Sequence, residues 1–558
     1  MTAEFDFKGF FPYPTVRPEQ TRAINFALDA FYNQGKRFVI IEAGTGTGKS
    51  GIGLSISRYM NAHRLPPHPT TVETARAKEQ APEVDKGTWF LTTQKILQDQ
   101  YVKDFGAPAG WMRSVKSSSN YQCSRKKGNS CAESRQLLKG EPEGSAFKRA
   151  CNGGGCVYVQ ARTAWAESAE SVTNFPYFMT LGNFANGVKT RRLLVVDEAH
   201  NIEGELSKFI DVSVTETFAK RVLKLDVPRD LRTQHQVVRW IRDTYFPKVK
   251  SHLDNVKKIM TKFKGLKDKL SKIASIARQM DLLNGHHDKI EKFLKVYDKE
   301  NWVMNIVKGD GRAQRKFEFK VIDVAPFSES NLFRFGDRVL LMSATILNAK
   351  AYCESLGIPA DQVATLEIST PFPIENRPIL YAPSGRMSRA HINDTLPKMA
   401  ETIKMLMEHH KDEKGIIHTH TFRIANFLRE NIRSSRILVH DSANREDVLQ
   451  NHLDSKKPTI LLSPSMTEGV DLKGDSSRFQ IVCKIPYPYL GDPLTKKRMN
   501  RWPWWYGLQT AKTIVQGVGR SVRSIDDHAV TYILDEDWHY FYGRNREMFP
   551  TSFKDALS

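Results

Sequence analysis

The chain has 558 residues, too many for one hydrophobic core, and a length of this order points to ~3–4 domains. Its 40% hydrophobic and 26% charged content is that of soluble globular protein, and no run of ~18 apolar residues offers a membrane span. The formal net charge of +21 is more than a neutral partner calls for; a phosphate polymer favours it, because each Lys or Arg set on a phosphate releases counterions.

The start, "MTAEFDFKGFFPYP", lacks a basic stretch followed by an apolar one, so no secretory signal is expected. The expected compartment is the cytosol, where disulfides are rare. A helical pattern, "QTRAINFALDAFYNQ" (20–34), leads to the first apolar run, "RFVIIEAG" (37–44), which predicts a buried parallel strand. "AGTGTGKS" follows at once, made of Ala43, Gly44, Thr45, Gly46, Thr47, Gly48, Lys49 and Ser50. Glycines there let backbone N–H groups close around phosphates at a helix N-terminus. Lys49 can reach β- and γ-phosphates, and Ser50 can ligate Mg²⁺. Ala43 stands where the strict pattern has glycine. A ligand-free glycine-rich turn is the plainer alternative.

Residues 111–165 carry many basic side chains and few apolar runs. Four of the six cysteines fall here: Cys123, Cys131, Cys151 and Cys156. In a reducing compartment they read as metal or cluster ligands before disulfides. Their spacings of seven, nineteen and four intervening residues match no local iron–sulfur pattern, and taken alone they put a zinc site first. Gly153, Gly154 and Gly155 would let the backbone wrap closely around a metal group. Cys353 and Cys483 read as core residues.

"RRLLVVDEAH" (191–200) predicts another buried strand, ending on Asp197 and Glu198. Asp197 would hold Mg²⁺ through water, and Glu198 would orient and deprotonate the attacking water. Two acids at a buried strand end are costly unless a cation sits beside them. Residues 205–310 read as almost pure helix. From Lys248 to Lys272 nine lysines face two acids, and Leu253, Val256, Met260, Phe263, Leu266 and Leu270 form an amphipathic seam. That is a helical hairpin whose lysine face could meet a phosphate backbone.

Further strands are predicted at 337–345, 414–421, 459–465, 478–488 and 529–537, with helices such as "KMAETIKMLMEHH" between them. The alternation implies α/β layers with parallel sheets. "QGVGRSVR" (516–523) contains Gln516, Arg520 and Arg523. The two arginines are three apart, so on a helix they would share a face. An arginine on the γ-phosphoryl oxygens is worth roughly 10³–10⁵ in rate, and this one would arrive across a cleft from a second domain.

In order, "YPTVRPEQ" (13–20), "AGTGTGKS", "LTTQKILQDQ" (91–100), "VVDEAH", "LMSATI" (341–346), "SMTEGVDLKGD" (465–475) and "QGVGRSVRS" resemble the motif series of a superfamily-two helicase. "SNYQC" (119–123), "CVYVQAR" (156–162), "STPFPIENRPI" (369–379), "EGVDLKGD" and "IPYPYLGDP" (485–493) narrow the resemblance to the XPD/DinG branch of iron–sulfur helicases, closer to DinG-like members. The chain is short for that branch, and its "GIIHTHT" (415–421) lacks the usual aromatic-rich form.

The resemblance implies an α/β fold with two RecA-like parallel-sheet motor domains, the first carrying an iron–sulfur insertion and a helical arch. The expected division is 1–110, 166–204 and 311–360 for motor 1, 111–165 for the cluster domain, 205–310 for the arch and 361–558 for motor 2. It implies ATP, Mg²⁺ and a [4Fe–4S] cluster on Cys123, Cys131, Cys151 and Cys156. Gln20 falls in the block that contacts adenine, and Thr92 and Gln94 in one that touches the strand backbone. By the same resemblance Ser343 and Thr345 fall in the block that couples nucleotide state to nucleic acid. Glu468, Gly469 and Asp471 lie near both ATP and the strand, and Gln516, Arg520 and Arg523 match the arginine-finger block. The implied function is an ATP-dependent DNA helicase, a monomer moving 5′→3′ on single-stranded DNA and opening forked duplex, and nucleoid-associated if bacterial. A DNA–RNA hybrid or RNA helicase, or a redox-sensitive DNA-binding protein with a vestigial ATPase, are the alternatives.

Overall fold

The computed structural model describes residues 4–93, 95–106, 111–152, 155–185, 187–264, 266, 269–308, 315–441, 444–464, 472 and 474–558. The strands, in chain order, are β1 (Phe38–Ala43), β2 (Asp85–Thr92), β3 (Met112–Ser114), β4 (Glu170–Asn174), β5 (Arg191–Asp197), β6 (Val212–Thr215), β7 (Trp302–Val307), β8 (Lys316–Val321), β9 (Gly336–Ser343), β10 (Val363–Ile368), β11 (Ile379–Gly385), β12 (Gly415–His418), β13 (Ile437–Val439), β14 (Ile460–Ser463), β15 (Phe479–Val482) and β16 (Val530–Asp535).

Among the described residues they form three sheets. The first has seven strands in the order β10-β1-β9-β5-β2-β4-β3, all parallel. Its central strands are continuous apolar runs because helices cover both faces. Leu340 of β9 lies between Val39 of β1 and Val195 of β5, and all three are fully buried. The second sheet has six parallel strands, β11-β16-β15-β12-β14-β13. The α/β, two-sheet expectation is met.

Parallel order has a direct consequence. The carboxyl ends of β1, β9 and β5 lie side by side at one edge of the first sheet. Ligands in open α/β sheets bind outside that edge. The turn after β1, Ser343 at the end of β9 and Asp197 at the end of β5 are therefore neighbours in space, although they are far apart in the chain.

The third sheet corrects an expectation. Residues 205–310 are not almost pure helix, because β6 and β7 lie within them and both pair antiparallel with β8. Strand β8, "KFEFKV", alternates buried Phe317, Phe319 and Val321 with more exposed Lys316, Glu318 and Lys320. This period of two is the signature of a half-covered strand. The helical hairpin stands on this sheet, with Phe246–Phe263 packed along Leu270–Val296. The seam holds at Leu253, Val256 and Met260, which are buried, and gives out at Leu266, which is 42% exposed beside the hairpin turn. Among the described residues no helix is long and apolar enough to cross a membrane. Cys353 and Cys483 are core residues.

Candidate functional site

The phosphate-loop sequence joins β1 to the helix Lys49–Ala62. Gly46 and Gly48 adopt φ 82° and 77°, a left-handed backbone that glycine takes without penalty. Space gives a second reason. A Cβ on Gly46 would lie 2.2 Å from Cζ of Phe372, and one on Gly48 would lie 2.4 Å from Nε2 of Gln20. Gln20 is buried against this loop. Its Nε2 donates to the Thr47 carbonyl at 3.0 Å, and its Oε1 accepts from the Arg17 backbone N–H at 3.0 Å. Thr47 Oγ1 donates to the Gly44 carbonyl at 2.8 Å, and Lys49 Nζ to the Ala43 carbonyl at 3.2 Å. Ser50 lies in the first turn of the helix that follows.

Asp197 ends β5 and is buried. Burial pushes its carboxyl up to about 6, the neighbouring Glu198 charge adds to this, and Lys49 opposes it. Tyr101 donates its hydroxyl to Asp197 Oδ2 at 2.9 Å, a partner that sequence reasoning missed. Glu198 shifts the other way. Burial would raise it, but His200, Lys49 and Arg520 together outweigh burial and hold it below the usual carboxylate range. Glu198 is also held at φ 54° and ψ 46°. A non-glycine residue in that region costs of order 1–3 kcal/mol, and such strain gathers at functional sites.

A line of polar contacts leaves Glu198. His200 Nδ1 lies 3.3 Å from Glu198 Oε2 and 2.8 Å from Ser343 Oγ. Ser343 Oγ accepts from the Thr345 backbone N–H at 3.0 Å. Gln516 Nε2 donates to Thr345 Oγ1 at 3.2 Å, so the line ends on a helix of the second-sheet half.

Some of these groups, with His200 among them, border one cleft of about 660 Å³. Gly44, Thr45, Glu198 and Thr345 face it from one side, and Gln516, Arg520 and Arg523 from the other. One local expectation fails. Arg520 and Arg523 do not share a helix face, because the helix Trp505–Val518 stops first and both lie in the turn and loop after it. Asp527, another residue missed in the sequence, organises that loop. Its carboxylate accepts from the Arg523 and Gly474 backbone N–H groups at 3.1 Å each and from Arg478 at 2.7 Å. Thr92 ends β2 and is buried. Gln94, Gly153, Gly154, Glu468, Gly469 and Asp471 lie outside the described residues.

Cys123, Cys131, Cys151 and Cys156 all line one small pocket, with Arg125, Ser134 and Arg135 around it. The Sγ atoms of Cys131 and Cys156 are 3.4 Å apart, a contact and not a bond, and all four thiols are free. Burial and the neighbouring sulfurs push Cys131 and Cys151 up. Burial would also raise Cys123, but the Ser134 hydroxyl and the Arg125 and Lys126 backbone N–H groups outweigh it and hold this thiol below its ordinary value. Four sulfur donors with cationic neighbours are a donor set that suits a thiolate-bound metal group. Among the described residues, no three His, Cys, Asp or Glu side chains are arranged as a ready metal site, so the chemistry fits iron–sulfur or zinc without choosing between them.

Residues 403–556 match the helicase C-terminal domain family. The ATP-dependent DNA helicase YoaA of Haemophilus influenzae is 26% identical over 196 residues, covering 33% of this chain and 30% of that protein. The ATP-dependent DNA helicase DinG of Photobacterium profundum is 28% identical over 219 residues, covering 35% and 31%. The chain thus spans about a third of the length of the curated relatives it matches. A solved XPD helicase superposes with a TM-score of 0.62 at 14% identity, over 96% of this chain and 98% of that one. The S. tokodaii Xpd4 structure gives 0.56 at 14%, over 97% and 99%. These likenesses show the fold, two RecA-like domains, and bear out the resemblance to XPD/DinG-like helicases.

Proposed function

We propose that this chain, similar to the XPD/DinG-like helicases in sequence and fold, is an ATP-driven DNA helicase that moves 5′→3′ along single-stranded DNA and opens forked duplex. The observation that carries this reading is the single cleft where the phosphate loop and Glu198 face Gln516, Arg520 and Arg523 from the second motor. Phosphoryl transfer needs positioning and charge more than covalent help.

ATP binds with its phosphates on residues 43–50, and Lys49 exchanges the Ala43 carbonyl for phosphate oxygens. Ser50 and Asp197 would hold Mg²⁺, which would neutralise phosphate charge; Asp197 sits buried at the end of β5 beside the Lys49 charge. Glu198, ionised and turned into the cleft, orients the water and takes its proton. Arg520 and Arg523 meet the charge that builds on the γ-phosphoryl group, so hydrolysis depends on closure of the two motors. The Thr345–Gln516 contact ties that closure to Ser343 and His200. Glu468, Gly469 and Asp471 complete the second motor's share, with Thr92 and Gln94 on the strand backbone.

The four cysteines would hold a [4Fe–4S] group, which would supply cross-linking to a small insertion. The single strand runs across both motors and between insertion and arch, in the domain division expected from the sequence. The test is unwinding of forked DNA and of DNA–RNA hybrids with opposite overhangs. ATP-dependent opening of forks with a 5′ overhang is expected. Opening of hybrids alone would move the assignment to a hybrid helicase, and strand binding without ATP turnover would leave a binding protein.

A further inference from the structure

The second motor grips the first at a place away from the nucleotide. Its helix Pro493–Arg501 lies against β7, and Trp502 and Trp505 bury Val303 and Ile322. Arg498 enters this contact and is only 7% exposed. Its Nε donates to the Ile322 carbonyl at 2.9 Å, and one terminal nitrogen to the Val321 carbonyl at 3.2 Å and Ser207 Oγ at 3.1 Å. The other pairs with Glu203 Oε1 at 2.8 Å. Beside it Arg501 pairs with Asp323 at 3.0 Å.

A buried guanidinium bonded at all three nitrogens holds geometry, because loss of the Glu203 pair would strand a buried charge. The partners of Arg498 fall in two places. Val321 ends β8 of the sheet on which the arch stands, and Ile322 follows it. Glu203 and Ser207 lie on the helix Ile202–Ile210, which follows the Asp197–Glu198 turn directly. The same second-motor stretch continues into the helix Trp505–Val518, where Lys512 donates to the His200 carbonyl at 2.6 Å and Gln516 to Thr345. At its far end the arch meets the cysteine insertion. Lys139 pairs with Asp281, Lys264 lies 3.4 Å from Glu143, and Gly140 sits under Ile273 so closely that a Cβ would lie 2.2 Å from it.

We infer that Arg498 is a positioning residue that ties the stroke of the second motor to the arch, so that cleft closure changes the spacing between the arch and the cysteine insertion. This rests on the helicase reading. One second-motor stretch touches the arch base and the DEAH turn and leads into the loop of the cleft arginines, so closure that moves the arginines pulls on the arch as well.

The test places fluorophores on exposed Lys127 of the insertion and Lys257 of the arch, in the full chain. In the parent, energy transfer should differ between the ADP and the ADP–beryllium fluoride states. Arg498→Met should remove that difference and cut unwinding by about tenfold, the loss expected for one charged hydrogen bond, while DNA-stimulated ATP turnover stays within about twofold. Arg498→Lys should restore part of the difference. Arg501→Gln, at the more exposed edge, should damp it and guards against a folding failure of the first variant. An Arg498→Met protein that keeps the full difference overturns the inference, as does intact signalling in both Arg498→Lys and Arg501→Gln. A parent that unwinds without any change in spacing overturns this inference alone. A parent whose spacing responds to nucleotide but which unwinds nothing overturns the helicase reading alone.

Discussion

At the scale of single residues, Glu198 has the most specific arrangement. Its left-handed backbone, its low proton affinity and its contact with His200 keep an ionised carboxylate facing the cleft. Glu198→Gln keeps shape and loses the base. Nucleotide affinity should persist while kcat falls by about 10²-fold or more, the usual worth of a general base; separate binding and turnover assays check this. Arg520→Ala should cost of order 10³ in turnover with little change in ATP affinity, because a finger acts on transition-state charge. Equal losses in both would make Arg520 a binding residue. Lys49→Ala should remove ATP turnover and spare much of the strand binding, since loop and basic surface are separate.

At the scale of elements, single buried groups in the two parallel sheets pull stability in opposite directions with pH. His452 is buried, with Nε2 donating to the Ser476 carbonyl at 2.8 Å and Nδ1 accepting from the Thr459 hydroxyl at 2.8 Å. Burial lowers its pKa to about 4; the Ser476 bond opposes and Lys414 assists. Burial takes His418, in the same sheet half, to about 4 as well. The unfolded chain takes up these protons near pH 6.5 and the folded one does not. Their contribution is therefore complete above 6.5 and is lost as pH falls toward 4, on the order of 2–3 kcal/mol for each. Glu42, buried in β1, is raised to about 7, so its contribution is present below 4.5 and is lost as pH rises through 7. Acid should melt the second motor first. Calorimetry of the full chain between pH 7 and 4 should show that order, and His452→Gln should flatten the acid side; a uniform response would contradict it.

The cysteine insertion makes its own prediction. Protein prepared without oxygen should be brown with about four irons per chain. Cys151→Ser should lose the colour and strand separation while retaining part of the ATPase, because the apolar clusters under the phosphate loop and in the second sheet contain none of the four cysteines. Colourless protein with one zinc would replace the cluster. What the sequence made legible follows from local chemistry. A left-handed backbone under close neighbours demands glycines at 46 and 48, and a long buried strand demands an apolar run. Strands β3 and β13 have three residues each, too few for a period to register. Tyr101 and Asp527 were invisible for another reason: their roles depend on partners such as Asp197, 96 residues away from Tyr101, which only the fold brings close.

At the scale of the whole molecule, the question is where the charge of +21 acts. The cleft between the two sheet halves is lined by few cations, Lys208, Arg377, Arg520 and Arg523 among them. Much of the excess stands on the arch, whose helix Phe246–Phe263 turns Val249, Leu253, Val256 and Met260 inward and leaves Lys250, Lys257 and Lys258 exposed. If that face meets the strand, each phosphate contact should appear in the salt dependence, with log K falling by roughly 0.7 per contact for single strands. The triple variant Lys250→Gln, Lys257→Gln, Lys258→Gln should then reduce the slope of log K against log salt by about 2. ATP turnover without DNA should be unchanged, because these lysines are far from the loop and Glu198. Fluorescence anisotropy with a labelled oligonucleotide over a series of salt concentrations measures the slope directly. An unchanged slope would assign the arch lysines to solubility and move the strand to the basic surfaces of the cysteine insertion and the motors.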